Sequence, residues 1–228
     1  MRCADSKALS PRNRDLAHHR HLISLSDFSP AELVRLLDLA EKMAAAIGFD
    51  VDRARQHVDP LDRILATLFY EPSTRTRMSF ETAMHRLGGA VISEANPLVT
   101  SSAAKEESLA DMLKVVSKYA NIIVLRHFDD RGAREAAPYS ESPIINGGWG
   151  HWEHPTQALL DLYTLYRTFG RVEGLKVCIA SADLIEARTG HSMAYGLARL
   201  GAKVTLASPS AKRTPQEVLD KINQLGIQ

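Results

Sequence analysis

The sequence predicts an α/β protein built as two doubly wound parallel-sheet domains joined by a long helix, with the second domain incomplete. Three observations lead there. From residue 64 onward, short apolar runs alternate with segments of helical periodicity, the pattern of parallel strands connected by covering helices. The run PTQALLDLYTLYRTF (155–169), proline at its head and Gly170 behind it, is a helix that separates two such alternating stretches. Beyond it only two strand-like runs remain, against the roughly four to six of a common sheet.

The elements follow in order. Ser29-Pro30-Ala31-Glu32 reads as a helix start, because serine caps free amides, proline suits the first helical position and Glu32 closes a capping box. Leu33, Val34, Leu37, Ala40, Ala44 and Ile47 then recur at helical spacing, and Gly48 is a stop. A polar segment through His57 and Pro60 leads to ILATLF (64–69), an apolar run expected as a strand buried on both faces. Residues 78–87 read as a helix ended by Gly88-Gly89, 90–93 as a strand, and 108–119 as a helix with Leu109, Met112, Leu113 and Val116 on one face. NIIVL (121–125) is the next strand, and Ile144-Ile145 belongs to another. After the long helix come a strand at 175–180, a helix at 189–200, a strand at 202–208 and a helix at 215–225. The expected division is a flexible tail at 1–21, a first domain at 22–153, the joining helix at 154–170 and a partial second domain at 171–228.

Charge narrows the function classes. With 28 basic against 27 acidic residues and a formal net charge of +1, the chain has no global field to attract nucleic acid or an anionic membrane, so an anion must be held locally. Cys3 and Cys178 form no CxxC pair, which argues against a disulfide framework or thiolate zinc site and suits a cytoplasmic protein. No apolar run reaches the roughly 20 residues of a membrane helix, and the first residues lack the apolar centre of a secretory signal. Arg12, Arg14, Arg20, His18, His19 and His21 in the tail show no defined ligand spacing; they read as a solvated terminus.

FYEPSTRTR (69–77) carries the first candidate site. If 64–69 is a buried strand, Glu71-Pro72 turns the chain, and Ser73, Thr74, Arg75 and Thr76 form a first helical turn. Free amides there favour an anion, hydroxyls add neutral donors and Arg75 supplies a charged fork. The plainer alternative is an ordinary helix start capped by Ser73. Two arginines at the positive end of a helix dipole point to a compensating negative ligand. In EHPTQ (153–157), Pro155 makes His154 the N-cap and sets Gln157 one turn on; both can face one point, or His154 can simply cap and Gln157 face water. Arg126 and His127 follow a strand, where parallel sheets deliver side chains to a ligand. Lys105 lies in a polar loop (SSAAKEES, 101–108) before a helix, and Arg188 stands near a helix start with His191 three residues on. Taken alone, these last are a solvated lysine, a helix-end arginine and a surface histidine.

Together these motifs resemble the aspartate/ornithine carbamoyltransferase family, and its aspartate branch in particular. The matching segments are FYEPSTRTRMSFE (69–81), SxxxK (Ser101 to Lys105), RH (126–127), HPTQALLDLYT (154–164) and RTxHS (188–192), in the family's order, with Pro72 after Glu71 as in the aspartate branch. The resemblance implies transfer of a carbamoyl group from carbamoyl phosphate to L-aspartate, with no metal or other cofactor. It places Ser73, Thr74, Arg75, Thr76 and Arg126 on the phosphate, and Thr76, Arg126 and His154 on the carbonyl oxygen. Gln157 would meet the carbamoyl amide and Arg188 an aspartate carboxylate. Ser101 and Lys105 would enter a neighbouring subunit's site, which implies a homotrimer. Glu106, Phe128 and ADLIEART depart from the family's usual glycine, proline and GDLxxGRT. The chain stops at Gln228, before the family's RxQ loop and HPLPR segment, so two expectations stand: an aspartate carbamoyltransferase, here a piece of a longer chain, or a noncatalytic carbamoyl-phosphate-binding or assembly subunit; a carbamoyltransferase with another acceptor amine and an additional regulatory or complementing chain also stay open.

Overall fold

A computed structural model of the protein describes residues 21–47, 62–100 and 107–226. The expected tail lies outside these residues except for His21, whose Nδ1 accepts a hydrogen bond from Ile144 N at 3.1 Å.

Helix α1 (Pro30–Ile47) starts with the expected capping box: Ser29 N donates to Glu32 Oε2 at 2.8 Å and Glu32 N to Ser29 Oγ at 3.3 Å. Then follow β1 (Ile64–Phe69), α2 (Thr74–Arg86), β2 (Ala90–Glu94), a single turn at Pro97–Thr100 and α3 (Leu109–Val116). The first unit continues with β3 (Ile122–His127), α4 (Asp130–Ala136) and β4 (Ile144–Trp149), and α5 (Pro155–Phe169) is the long helix. The second unit holds β5 (Lys176–Ala180), α6 (Arg188–Arg199), β6 (Lys203–Ala207) and α7 (Gln216–Gly226). Sequence reading missed α4. Its buried residues are Ala133 and Ala136, too small to mark a periodic face, although Asp129 caps it by accepting from Gly132 N at 3.1 Å.

The first sheet is parallel throughout, in the order β2-β1-β3-β4. The chain leaves β1 toward β2 on one side and returns to β3 on the other, so the carboxyl ends of β1 and β3 flank a topological switch point. One face of the sheet (Ala66, Leu68, Ile123, Leu125) packs on Leu113, Val116 and Ala133; the other (Leu65, Phe69, Val124) packs on Met84 of α2. Helices on both faces make the unit doubly wound. The second unit pairs β5 and β6 in parallel.

A third core joins Leu33 and Leu37 of α1, Ala158 and Leu162 of α5, Leu197 of α6, and Val218 and Leu225 of α7. Helix α5 is therefore a packed member of that core as well as a connection. A Cβ on Gly196 would come within 2.5 Å of Leu162 Cδ1, so glycine lets α6 lie close against α5.

Candidate active site

The site is assembled at the switch point. Arg126 pairs with Phe69 in the β1–β3 ladder, and Tyr70 N still donates to Arg126 O at 2.8 Å, which carries Glu71 to the gap between the two strands. The β3–β4 register slips between Leu125 and His127. Gly148, with φ at +105°, lines the turn of the chain there: a Cβ would stand 2.7 Å from Arg126 Nη1 and 3.1 Å from His154 Cδ2. Glycine supplies both the left-handed backbone and the room for two site residues to approach.

Arg126 is buried; its Nη1 donates to Gly147 O at 3.1 Å and its Nη2 pairs with Glu71 Oε1. Arg188, at the start of α6, forks onto the same carboxylate, Nη2 to Oε1 at 2.9 Å and Nη1 to Oε2 at 3.1 Å, and also donates from Nη1 to Gly150 O at 2.6 Å. Such bidentate, charge-assisted contacts are strong and directional. Burial pushes the Glu71 carboxyl up, but the two guanidinium groups outweigh it and hold the group below the ordinary carboxylate range. One carboxylate thus links an arginine from each unit.

His154 occupies the N-cap of α5, but its ring caps nothing. Instead its backbone N donates to Ser192 Oγ at 3.0 Å, and that hydroxyl donates to Glu153 Oε2 at 2.9 Å. Burial first, then the positive charges of Arg126 and Arg188, pushes the His154 imidazole down to about 4. A neutral ring at physiological pH is a hydrogen-bond donor from one nitrogen and a weak base. Glu153 has the opposite character: burial raises its carboxyl to about 7, offset only in part by the hydroxyls of Ser24 and Ser192.

At the head of α2, Ser73 takes the N-cap with extended backbone, yet its Oγ donates to Thr76 Oγ1 at 3.0 Å and makes no capping bond. The first-turn amides, uncapped by a side chain, point where an anion is favoured. A cleft of about 650 Å³ opens before them, lined by Ser73, Arg75, Thr76, Arg126, His154, Gln157 and Arg188.

Most of the predicted residues therefore meet. Thr74 is exposed at the first helical position and is not among the lining residues; Ser101 and Lys105 lie outside the described residues. Gln157 lines the cleft while its Nε2 donates to Asp161 Oδ1 at 3.3 Å. Two expectations need correction. Of the two arginines in STRTR only Arg75 lines the cleft; Arg77 Nη1 donates to Glu81 Oε1 at 3.1 Å, so its compensating charge is a protein carboxylate and not a ligand. His191 is buried, with Nδ1 3.1 Å from Trp152 O and Nε2 2.8 Å from Leu184 O, because Leu184 and Trp152 fold over the face of α6 that it occupies. Sequence reading missed the roles of Glu71, Gly148 and Glu153. The only signals were position, directly after a strand, inside a glycine-rich strand end and directly before HPTQ. Among the described residues, no group of three or more His, Cys, Asp or Glu side chains could hold a metal ion.

A donor-rich cleft at the switch point of a doubly wound sheet, finished by an arginine from a second α/β unit, defines a class: two-unit α/β proteins whose cleft lies between the units. Residues 20–167 match the model of the aspartate/ornithine carbamoyltransferase, carbamoyl-P binding domain, and the chain belongs to that family. It is 62% identical over 206 residues to a ureidoglycine carbamoyltransferase of Rubrobacter xylanophilus, covering 90% of this chain and 59% of that protein. With an aspartate carbamoyltransferase catalytic subunit of Methanocaldococcus jannaschii it shares 45% identity over 91% of this chain and 66% of the other. Among solved structures, aspartate transcarbamoylase from Trypanosoma cruzi in complex with N-(phosphonacetyl)-L-aspartic acid superposes with a TM-score of 0.81 at 36% identity, covering 91% of this chain and 63% of that one. The chain thus spans about three fifths to two thirds of the length of these relatives.

Proposed function

We propose that the protein transfers the carbamoyl group of carbamoyl phosphate to the amine of a carboxylate-bearing acceptor. The observation that carries this reading is the single cleft in which Arg75, Thr76, Arg126, His154 and Arg188 converge. Ser73, Thr74, Arg75 and Thr76 take the phosphate, with Arg126 beside it. Thr76, Arg126 and neutral His154 donate to the carbamoyl carbonyl oxygen, and Gln157 turns from Asp161 to the carbamoyl amide. The acceptor nitrogen attacks the carbamoyl carbon, a C–N bond forms, the bond from that carbon to the oxygen bridging to phosphorus breaks and phosphate leaves with that oxygen and the electron pair; the amine's proton passes to phosphate or solvent. Fixed donors that strengthen as charge grows on the carbonyl oxygen and the phosphate are the main source of rate. His154, held neutral and poorly basic, acts as a donor and not as a general base.

Arg188 is the acceptor's carboxylate partner, exchanging Glu71 for it. Ureidoglycine is the favoured acceptor, supported by the 62% identity to a ureidoglycine carbamoyltransferase against 45% to an aspartate carbamoyltransferase. Aspartate is the second reading, supported by Pro72 following Glu71 as in the aspartate branch. Ser101 and Lys105 complete the site from a neighbouring subunit of a homotrimer, so a Lys105→Ala chain mixed with an Arg75→Ala chain recovers activity in hybrid trimers; no recovery despite demonstrated mixing contradicts a shared site. The deciding assay supplies carbamoyl phosphate with ureidoglycine, aspartate or ornithine in turn and measures phosphate release and carbamoylated product. Turnover with ureidoglycine supports the first reading and turnover with aspartate alone the second. Carbamoyl phosphate binding without turnover on any acceptor leaves a noncatalytic binding subunit, and absence of binding rejects the site.

A further inference from the structure

The carboxylate of Glu81 takes no part in the cleft, yet it is the acceptor at the centre of a hydrogen-bonded knot beneath α2. Its Oε1 receives Thr67 Oγ1 at 2.9 Å, Ser93 Oγ at 2.6 Å and Arg77 Nη1 at 3.1 Å, and Arg77 Nη1 also donates to Ser93 Oγ at 3.1 Å. Thr67 and Ser93 stand opposite one another in the β1–β2 ladder, and Thr67 is fully buried. A single side chain of α2 is therefore bonded to two strands at once. Burial pushes the Glu81 carboxyl up, but Ser93, Thr67 and Arg77 outweigh it and keep the group ionised.

The consequence is rotational. At about 100° per residue, Arg77 and Glu81 lie about 40° apart on the helix, on the side that meets the sheet. Arg75 stands about 120° round from Glu81, on the side that lines the cleft. A helix held to its sheet only by apolar contacts such as Met84 can roll; a carboxylate bonded to Thr67 and Ser93 of two strands, beside an Arg77 of the same helix that also reaches Ser93, cannot follow that roll without losing bonds. Any roll of α2 swings the Arg75 guanidinium and the first-turn amides off their target, and misplacement of about 1 Å can cost roughly 100-fold in rate.

We propose that Glu81, through Thr67, Ser93 and Arg77, is the positioning residue that sets the rotation of α2 and so aims Arg75 and the first helical turn at the phosphate. The pairing has a second effect: it holds Arg77 against the sheet, so that Arg75 alone of the two STRTR arginines faces the ligand. The inference rests on the carbamoyl phosphate reading of the cleft.

The test measures inorganic phosphate affinity by calorimetry, and the KM for carbamoyl phosphate and for the acceptor, in the parent protein, Glu81→Gln, Ser93→Ala and Val116→Ala. Each is measured well below its own Tm. Val116 packs in the core on the other face of the sheet and reports loss of stability alone. Glu81→Gln is expected to weaken phosphate binding and raise the carbamoyl phosphate KM roughly 10- to 100-fold, with the acceptor KM within about threefold. Ser93→Ala shifts the same quantities in the same direction by less, and serves if Glu81→Gln does not fold. Val116→Ala lowers Tm with phosphate affinity unchanged. Unchanged phosphate affinity in folded Glu81→Gln or Ser93→Ala, with only Tm lowered, overturns the proposal. Failure of the parent protein to bind phosphate or carbamoyl phosphate instead overturns the reading of the cleft on which it rests.

Discussion

The two units that meet at the cleft bring their side chains to it by different means. In the first, β1 and β3 are buried along nearly their whole length, and Arg126, at the end of β3, keeps 7% of its side chain exposed. In the second, β5 and β6 alternate exposed and half-buried residues, and Arg188, on the helix between them, is 23% exposed. The first unit presents donors fixed by a sheet packed on both faces, which is what stabilises charge developing in a transition state. The second presents a single arginine whose partner in the structure is a carboxylate of the first. If the first unit holds the carbamoyl donor and the second the acceptor, as proposed above, a rigid side and a lightly anchored side would let acceptors differ while the donor stays the same.

The sharpest way to break this contrast is Arg75→Ala. Removing one partner of a hydrogen-bonded charge pair costs about 2 to 5 kcal/mol of binding, so carbamoyl phosphate affinity measured by calorimetry falls at least roughly 30-fold while far-UV circular dichroism is unchanged. Unchanged affinity rejects Arg75 as the phosphate ligand.

Glu153→Gln probes the seam between the units. A carboxyl raised from its ordinary value of 4.5 to about 7 in the folded state keeps a proton that the unfolded chain has already released. The folded state therefore loses stability as pH rises from about 4.5 through about 7, by about 3 kcal/mol in all. The glutamine variant lacks that loss, so denaturant titrations should show its stability relative to the parent growing by about that amount between pH 4.5 and pH 8. His154, depressed to about 4, gives the opposite drift, stability falling as pH drops from about 6.5 toward 4, but it is common to both proteins and cancels in the difference. A pH-independent difference contradicts a protonated Glu153.

Arg188→Ala separates the two sides of the cleft. It removes charge-assisted bonds worth about 1.5 to 3 kcal/mol, so the acceptor KM rises roughly 10- to 100-fold while carbamoyl phosphate affinity changes by less than about threefold. Equal losses for both substrates mean that the units do not divide the work as described. The smallest effect belongs to Lys118→Met, which breaks an exposed pair with Glu141 and changes stability by less than about 1 kcal/mol; a larger loss places weight on surface charge that this comparison gives to buried groups.

What could be read from the sequence was what depends on neighbours in the chain. The capping box at Ser29 and Glu32, the strand at 64–69 and the long helix from Pro155 are local patterns, and each appears where it was expected. The convergence of Arg75, Arg126, His154 and Arg188 was expected from the family resemblance; their positions at strand and helix ends were compatible with it but left a plain cap at His154 and a helix-end arginine at Arg188 open. Glu71 was not, since its partners are 55 and 117 residues away and nothing beside it in the sequence signals them. His191 was misread for the same reason, since burial under Leu184 is a property of packing; Arg77 was misread although its partner Glu81, four residues on in the same helix, is a pattern the sequence does show.

The most direct test is a crystal structure of the protein with carbamoyl phosphate bound. The phosphate should sit at the first turn of α2 in contact with Arg75, and the carbonyl oxygen should lie within hydrogen-bonding distance of Thr76, Arg126 and His154. A ligand bound instead in the cavity lined by Arg134, His151 and Lys221, with the α2 cleft empty at saturating concentration, would contradict the account.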